Sequence, residues 1–237
     1  MPRFLMFAAM CAAVLIAFMV PAQAADRTIT VQGTGTASAA PDILTVTIGV
    51  EASGKNAAAT MRDVNARAGA VLDVARSFGV ASKDMQTGGV SLSPIYDHSQ
   101  RQNNGAPREP KIIGYRAGNN VMIRLRDLDA AGEAVGALVE AGANRLNGLS
   151  FGFADATSLM DDARRGAVAD ARRKAELFAK AAGETLGPVL SIQEHGGGSV
   201  RPMAMARSMD AMESAVPLER GENTVSASVS VVWALSD

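Results

Sequence analysis

Hydrophobic and polar positions alternate along this chain with two different periods, and the switches between them predict its elements. Ile29 and Val31 open an extended segment that passes through Gly33 and Gly35. Beyond a turn at Pro41-Asp42, Leu44, Val46, Ile48 and Val50 alternate with Thr45, Thr47, Gly49 and Glu51. That two-residue period gives a strand one apolar and one mostly polar face. The first two elements read as a hairpin or as adjacent strands with one face in the core. Glycine where a side chain would stand also permits a bulge or a close neighbour.

From Asn56 to Phe78 the period becomes helical, with Met61, Val64, Ala68, Val71, Leu72, Ala75 and Phe78 on one stripe and Arg62, Asp63, Arg67, Asp73 and Arg76 elsewhere. Gly79 is placed to end this helix in a left-handed conformation. Val90 and Leu92 lead into a strand, and Val121, Ile123 and Leu125 mark another, alternating with Met122, Arg124 and Arg126. Between them, His98 to Pro110 carries Asn103-Asn104-Gly105 and two prolines, which predicts a long exposed hairpin loop.

A second helix runs from about Ala130 to Ala141, burying Ala131, Ala134, Val135, Leu138 and Val139, and stops at Gly142. Leu149, Phe151 and Phe153 restore the strand period. The third helix, from about Ser158 to Ala182, has a narrow apolar face of Leu159, Ala163, Ala167, Ala171, Ala175, Phe178 and Ala182. Residues this small permit tight contact with a sheet. The outer face pairs Asp161/Arg165, Asp170/Lys174, Arg172/Glu176 and Glu176/Lys180. Each pair adds only ~0.2–0.5 kcal/mol, so these charges support the helix without identifying a partner.

Gly183 ends that helix, and Gly187-Pro188 turns the chain into a strand from Val189 to Ile192. In the last strand, Val225, Ala227, Val229, Val231, Trp233 and Leu235 alternate with Ser226, Ser228 and Ser230, a pattern that requires pairing inside a sheet. Gly196 to Asn223 lacks any such pattern. The order β-β-α-β-β-α-β-α-β-β gives an α+β fold with a mixed, largely antiparallel sheet and packed amphipathic helices; a doubly wound parallel sheet is disfavoured.

The amino end has a different character. Arg3, an apolar run from Phe4 to Val20, and Ala22-Gln23-Ala24 have the form of an export signal with a small-x-small cleavage site. An uncleaved anchor is the competing reading, against which Pro21 and the alanines count. Cleavage removes Cys11, the single cysteine, so the mature protein works without thiols or disulfides. We expect residues 1–24 to be a signal peptide and 25–237 one domain with insertions near 98–110 and 196–222. No later stretch reaches membrane-spanning length.

A formal net charge of −1 gives no general attraction to nucleic acid or anionic lipid. One Trp and two Tyr argue against an aromatic carbohydrate cleft or a base-stacking platform.

Candidate chemistry is sparse. Gly33-Thr34-Gly35-Thr36-Ala37-Ser38 looks like a nucleotide loop, yet Pro41-Asp42 and a strand follow where a helix is needed, so strand geometry is the better reading. His98 and His195 lie in no metal-ligand motif. His195, even with Glu194, Asp210 or Glu213, makes at most a weak site. Asp161-Asp162 resembles a carboxylate pair, but adjacent helical residues point apart and Arg165 can balance Asp161. No serine has a positioned base. Met203, Met205, Met209 and Met212 suit packing or assembly, copper(I), or the scavenging of oxidants.

Taken together, Val31-x-Gly33-x-Gly35 with Pro41-Asp42, then Asp170-Ala171, Lys174-Ala175, Leu177, Ala181, Gly183 and Leu186-Gly187 through to Ile192, resemble secreted SIMPL-domain (DUF541) proteins, including the periplasmic immunogenic outer-membrane-protein-28-like group. The resemblance spans almost all of residues 25–237. It implies a mixed α/β domain exported to the envelope, often oligomeric or channel-like, with some relatives associated with oxidative stress. It supplies no catalytic set.

The expectation is therefore a non-enzymatic extracytoplasmic structural or interaction protein, located in the periplasm or secreted. It would form a homo-oligomer through a strand edge, the 98–110 loop or the 196–222 loop, with an envelope protein as a second class of partner and a role in envelope maintenance under stress. A periplasmic metal-binding or methionine-based redox-protective protein is the alternative. No catalytic or cofactor-binding residue is assigned, no cofactor is expected, and metal ligation is left open.

Overall fold

A computed structural model of the chain describes residues 27–97, 110–196, 201–202 and 218–236. The signal segment and Cys11 lie outside them. The chain forms not one sheet but two, each covered on one face by helices, and every strand pairing is antiparallel.

In the first sheet, β1 (Thr28–Ala39) and β6 (Thr185–Glu194) flank β8 (Asn223–Ser236), and the short β7 (Arg201–Pro202) extends the β6 side. In the second, the order is β3 (Met85–Asp97), β4 (Lys111–Leu125), β2 (Ile43–Gly54) and β5 (Arg145–Gly152). Helices α1 (Ala57–Ser77) and α2 (Ala131–Glu140) belong to the second sheet; α3 (Thr157–Ala182) lies on β1 and β8 of the first.

The expected pairing of the first two strands is thus incorrect. β1 runs its full length against β8, from Thr28↔Ala234 to Ala39↔Asn223, whereas β2 pairs β4 and β5. Local periodicity finds a strand and its inward face. It cannot find the neighbour, because β1 has two apolar candidates at similar spacing, one nearby and one at the other end of the chain.

The core positions follow the alternation closely. Leu44, Val46, Ile48 and Val50 are buried beneath Val64, Ala68 and Val71 of α1 and Ala134, Val135 and Leu138 of α2. Fully burying one such aliphatic side chain contributes roughly 1.5–3 kcal/mol before chain entropy is subtracted. Asn56 caps α1, its Oδ1 accepting the Ala59 N–H at 3.0 Å, and Gly79 takes the expected left-handed conformation with φ 77°.

Three expected core residues are exposed. Val139 is half in solvent, because the buried stripe of α2 runs through Ala131, Ala134, Val135 and Leu138. Phe178 is also exposed: α3 keeps a strict four-residue stripe, Ala163, Ala167, Ala171, Ala175 and Ala179, and Phe178 falls beside it. Ala182 is likewise exposed.

The two layers meet where β1 passes into β2 and β5 into α3. Pro41 is buried there, the Asp42 N–H donates to the Gly152 carbonyl at 3.1 Å, and Asp42 Oδ1 accepts the Ala154 N–H at 2.7 Å. Asn223, a buried polar residue of β8, donates from Nδ2 to the Phe151 carbonyl at 2.9 Å. Phe151 then packs into the second layer and Phe153 into the first.

Candidate functional site

Several of the residues that carry the family resemblance, Gly33, Gly35, Asp170, Ala171, Lys174 and Ala175, come together at the crossing of α3 over β1. Gly33 and Gly35 are buried in β1, facing the alanine stripe of α3. A Cβ on Gly33 would stand 2.6 Å from Ala171 Cβ and closer still to the Ala167 carbonyl oxygen. A Cβ on Gly35 would stand 2.7 Å from the Gly166 carbonyl carbon, with the Ala163 oxygen and the Ala167 nitrogen nearer. The glycine pattern is therefore strand geometry, as expected, used for close approach of a helix.

Two charged residues of the same helix act on the outer edge of β1. Asp170 Oδ2 accepts the Thr34 N–H at 3.1 Å, and Lys174 Nζ donates to the Gln32 carbonyl at 3.1 Å. They also pair with each other at 2.6 Å, and Arg173 adds a bond to Asp170 at 2.7 Å. Lys174, the Thr34 N–H and Arg173 hold the Asp170 carboxyl well below the usual carboxylate range. Side chains thus occupy edge groups that could otherwise accept another strand. This constellation has the geometry of a clamp of α3 on the edge of β1.

Other sequence candidates do not assemble. Asp161 pairs with Arg164 at 3.0 Å, and Asp162 with Arg165, so the adjacent carboxylates serve different arginines and the expected Asp161/Arg165 pair is not formed. Asp170/Lys174 and Arg172/Glu176 form as expected. His195 is exposed, its N–H bonded to the Ser228 carbonyl, and Glu194 is taken by Arg164 at 3.0 Å. Among the described residues, no three His, Cys, Asp or Glu side chains converge as metal ligands. His98, Asp210, Glu213 and Met203, Met205, Met209 and Met212 lie outside the described residues.

Two polar clusters were not legible beforehand. Asp84, buried at the start of β3, is held by Arg126 through two bonds of 3.0 Å, and these lower its carboxyl pKa against the opposing effect of burial. On the second sheet, Asn144 imitates a peptide group toward Glu51, accepting its N–H at 2.8 Å and donating to its carbonyl at 2.7 Å. The Glu51 carboxylate bridges Arg145 and Arg116. The alternation of Arg124 and Arg126 along β4 hinted at the first cluster, but only strand register supplies its partner.

The β3–β4 hairpin forms an exposed apolar feature among the described residues. β2 stops pairing at Gly54↔Tyr115, while β3 and β4 continue together to Asp97↔Lys111. The hairpin expected around residues 98–110 is therefore present at its base; residues 98–109 lie outside the described ones. Val90 and Leu92 lie in a strand, as expected, and are exposed, as are Tyr96, Ile112 and Ile113. α1 covers β2 and β4 and barely reaches β3. Val90, Leu92 and Tyr96 share a face with their direct partners Asn119, Ala117 and Ile112, and Asn119 Oδ1 is buried there without a hydrogen-bond partner.

Two antiparallel sheet-and-helix layers, a glycine-to-alanine helix crossing and an exposed hairpin arm define an α+β scaffold in which, among the described residues, no group of metal ligands converges. The model for SIMPL, described as a protein of unknown function (DUF541), matches residues 29–233, and the chain belongs to that family. It is 33% identical over 230 residues to a 26 kDa periplasmic immunogenic protein of Brucella melitensis, covering 92% of this chain and 91% of that one. A protein of the same name from Brucella abortus is equally similar. An uncharacterized protein YggE of Escherichia coli is 28% identical over 201 residues, 85% of this chain and 78% of its own length. In keeping with these relatives, the chain is a periplasmic or secreted protein. Among the described residues, no helix is long and apolar enough to cross a membrane.

Proposed function

We propose that this protein is a non-enzymatic structural or interaction protein of the cell envelope that assembles as a homo-oligomer through the β3–β4 arm. The supporting observation is the arm itself. It presents Leu92 at 46% exposure and Ile112 at 44% on one face, beyond the cover of the chain's own helices. An open strand edge with apolar neighbours is a liability unless it is covered, and a second arm offers both the missing strand and the missing apolar surface. Residues 98–110 and 196–222 act as insertions into the 25–237 unit and extend the assembling surface. Assembly of this kind suits envelope maintenance under stress, with an envelope protein as a further partner.

Size-exclusion chromatography with light scattering on the mature chain tests the reading. The expected result is a discrete oligomer that the double substitution Leu92→Asp, Ile112→Asp converts to a folded monomer. A monomer throughout the physiological concentration range overturns it.

A further inference from the structure

At the opposite end of β3 from the arm tip, a cleft of about 450 Å³ opens between the turn after α1 and the last residues of β4. Its apolar side is Phe78 and Val80, and its polar side is Lys83, Asp84, Arg124 and Arg126. The charges are unequally committed. Asp84, at 6% exposure, is satisfied by the paired bonds from Arg126, which fixes both groups. Lys83 and Arg124 lie close enough for their charge to act on Asp84, yet neither side chain makes a hydrogen bond or an ion pair. The other carboxylate of the lining, Asp127, is engaged at Oδ1 by the Asp129 and Ala130 N–H groups at 3.0 and 3.2 Å.

With the three cations Lys83, Arg124 and Arg126 against the two carboxylates Asp84 and Asp127, this concave surface has one positive charge in excess, and Lys83 and Arg124 supply unused side-chain donors. The low-polarity wall beside it strengthens attraction for an anion above that at an open surface. Arg124 offers a planar fork and Lys83 a mobile point charge, a combination suited to oxygen pairs on carbon or phosphorus. We infer that this cleft binds a small oxyanion, a carboxylate or phosphate group, between Lys83 and Arg124, with any apolar body of the ligand resting on Phe78 and Val80. This site is independent of the assembly surface, since the arm's exposed residues are at the far end of β3.

The test is a ¹⁵N amide-shift titration of the isotopically labelled mature chain with inorganic phosphate, acetate and benzoate, each against chloride at matched ionic strength. Saturable shifts confined to residues 78–84 and 124–127 are expected. Benzoate alone or benzoate above acetate identifies organic acids as the class; phosphate alone identifies phosphate groups. The double variant Lys83→Gln, Arg124→Gln removes no side-chain hydrogen bond or ion pair, so its spectrum away from the cleft should superimpose while binding weakens at least tenfold. Absence of saturable shifts with all three anions, or binding unchanged in the double variant, overturns the assignment.

Discussion

Gly35→Ala adds a single methyl group to β1 and should destabilise the protein far more than its size suggests. The new Cβ would meet the backbone of α3, 2.7 Å from the Gly166 carbonyl carbon and nearer to the Ala163 oxygen, whereas real Cβ contacts essentially never fall below 3.0 Å. Backbone cannot rotate aside, so the helix must retreat as a unit. Its buried face consists of Ala163, Ala167, Ala171, Ala175 and Ala179, whose single methyl groups have no length with which to refill a gap. A retreat of ~1 Å forfeits a quarter to a half of the dispersion attraction along that seam. Overpacking typically costs ~1–3 kcal/mol, and an obstacle made of backbone places this case near ~3 kcal/mol. For a chain of this size that corresponds to a Tm lowered by about 6–12 °C. Trp233, the single tryptophan, is buried in the same cluster, so its fluorescence during thermal or urea unfolding reports this layer directly. Adding Ala163→Gly should give no rescue, because the obstructing atom is the Ala163 carbonyl. A Tm within ~2 °C of the parent, or rescue by Ala163→Gly, refutes the backbone-contact argument.

Three further outcomes follow from the same geometry. Because its partners depress the folded-state pKa of Asp170, the stability it contributes is complete above the ordinary carboxylate value of ~4 and is lost as pH falls below it toward the folded value. Urea midpoints followed at Trp233 should therefore fall from pH 6 to pH 3, less steeply in Asp170→Asn, which can still accept the Thr34 N–H; equal slopes would contradict the clamp. Arg126→Ala leaves the Asp84 carboxylate buried without its partner, so it should destabilise more than the double substitution Asp84→Asn, Arg126→Ala, and additive urea midpoints would show no coupling. Leu138→Ala, at a fully buried position of α2, should cost about 2–5 kcal/mol in far-ultraviolet circular-dichroism unfolding, while the exposed neighbour Val139→Ala should change stability by no more than about 0.5 kcal/mol.

The sequence by itself determined the kinds of element and most of their inward faces. A two-residue period in β2 and a four-residue alanine step in α3 are local properties, fixed by where successive side chains point, and they can be read without knowing any neighbour. The family was equally legible from residue type and order. Register and partnership required the tertiary structure. β1 passed over the nearby β2 for β8 near the far terminus, and that choice divided one expected sheet into two. Gly33-x-Gly35 was visible as a pattern, but its purpose lay in the alanine backbone some 130 residues away, and Asp170 and Lys174 read as an ordinary surface pair until β1 was placed beside them. Val90 and Leu92 show the same limit in reverse. Their alternation marks an apolar face, but only the length of β3 and β4 beyond β2, and the path of α1, left that face exposed among the described residues. Periodicity records which side of a strand avoids water, and the three-dimensional arrangement of the other elements decides whether this chain supplies the cover.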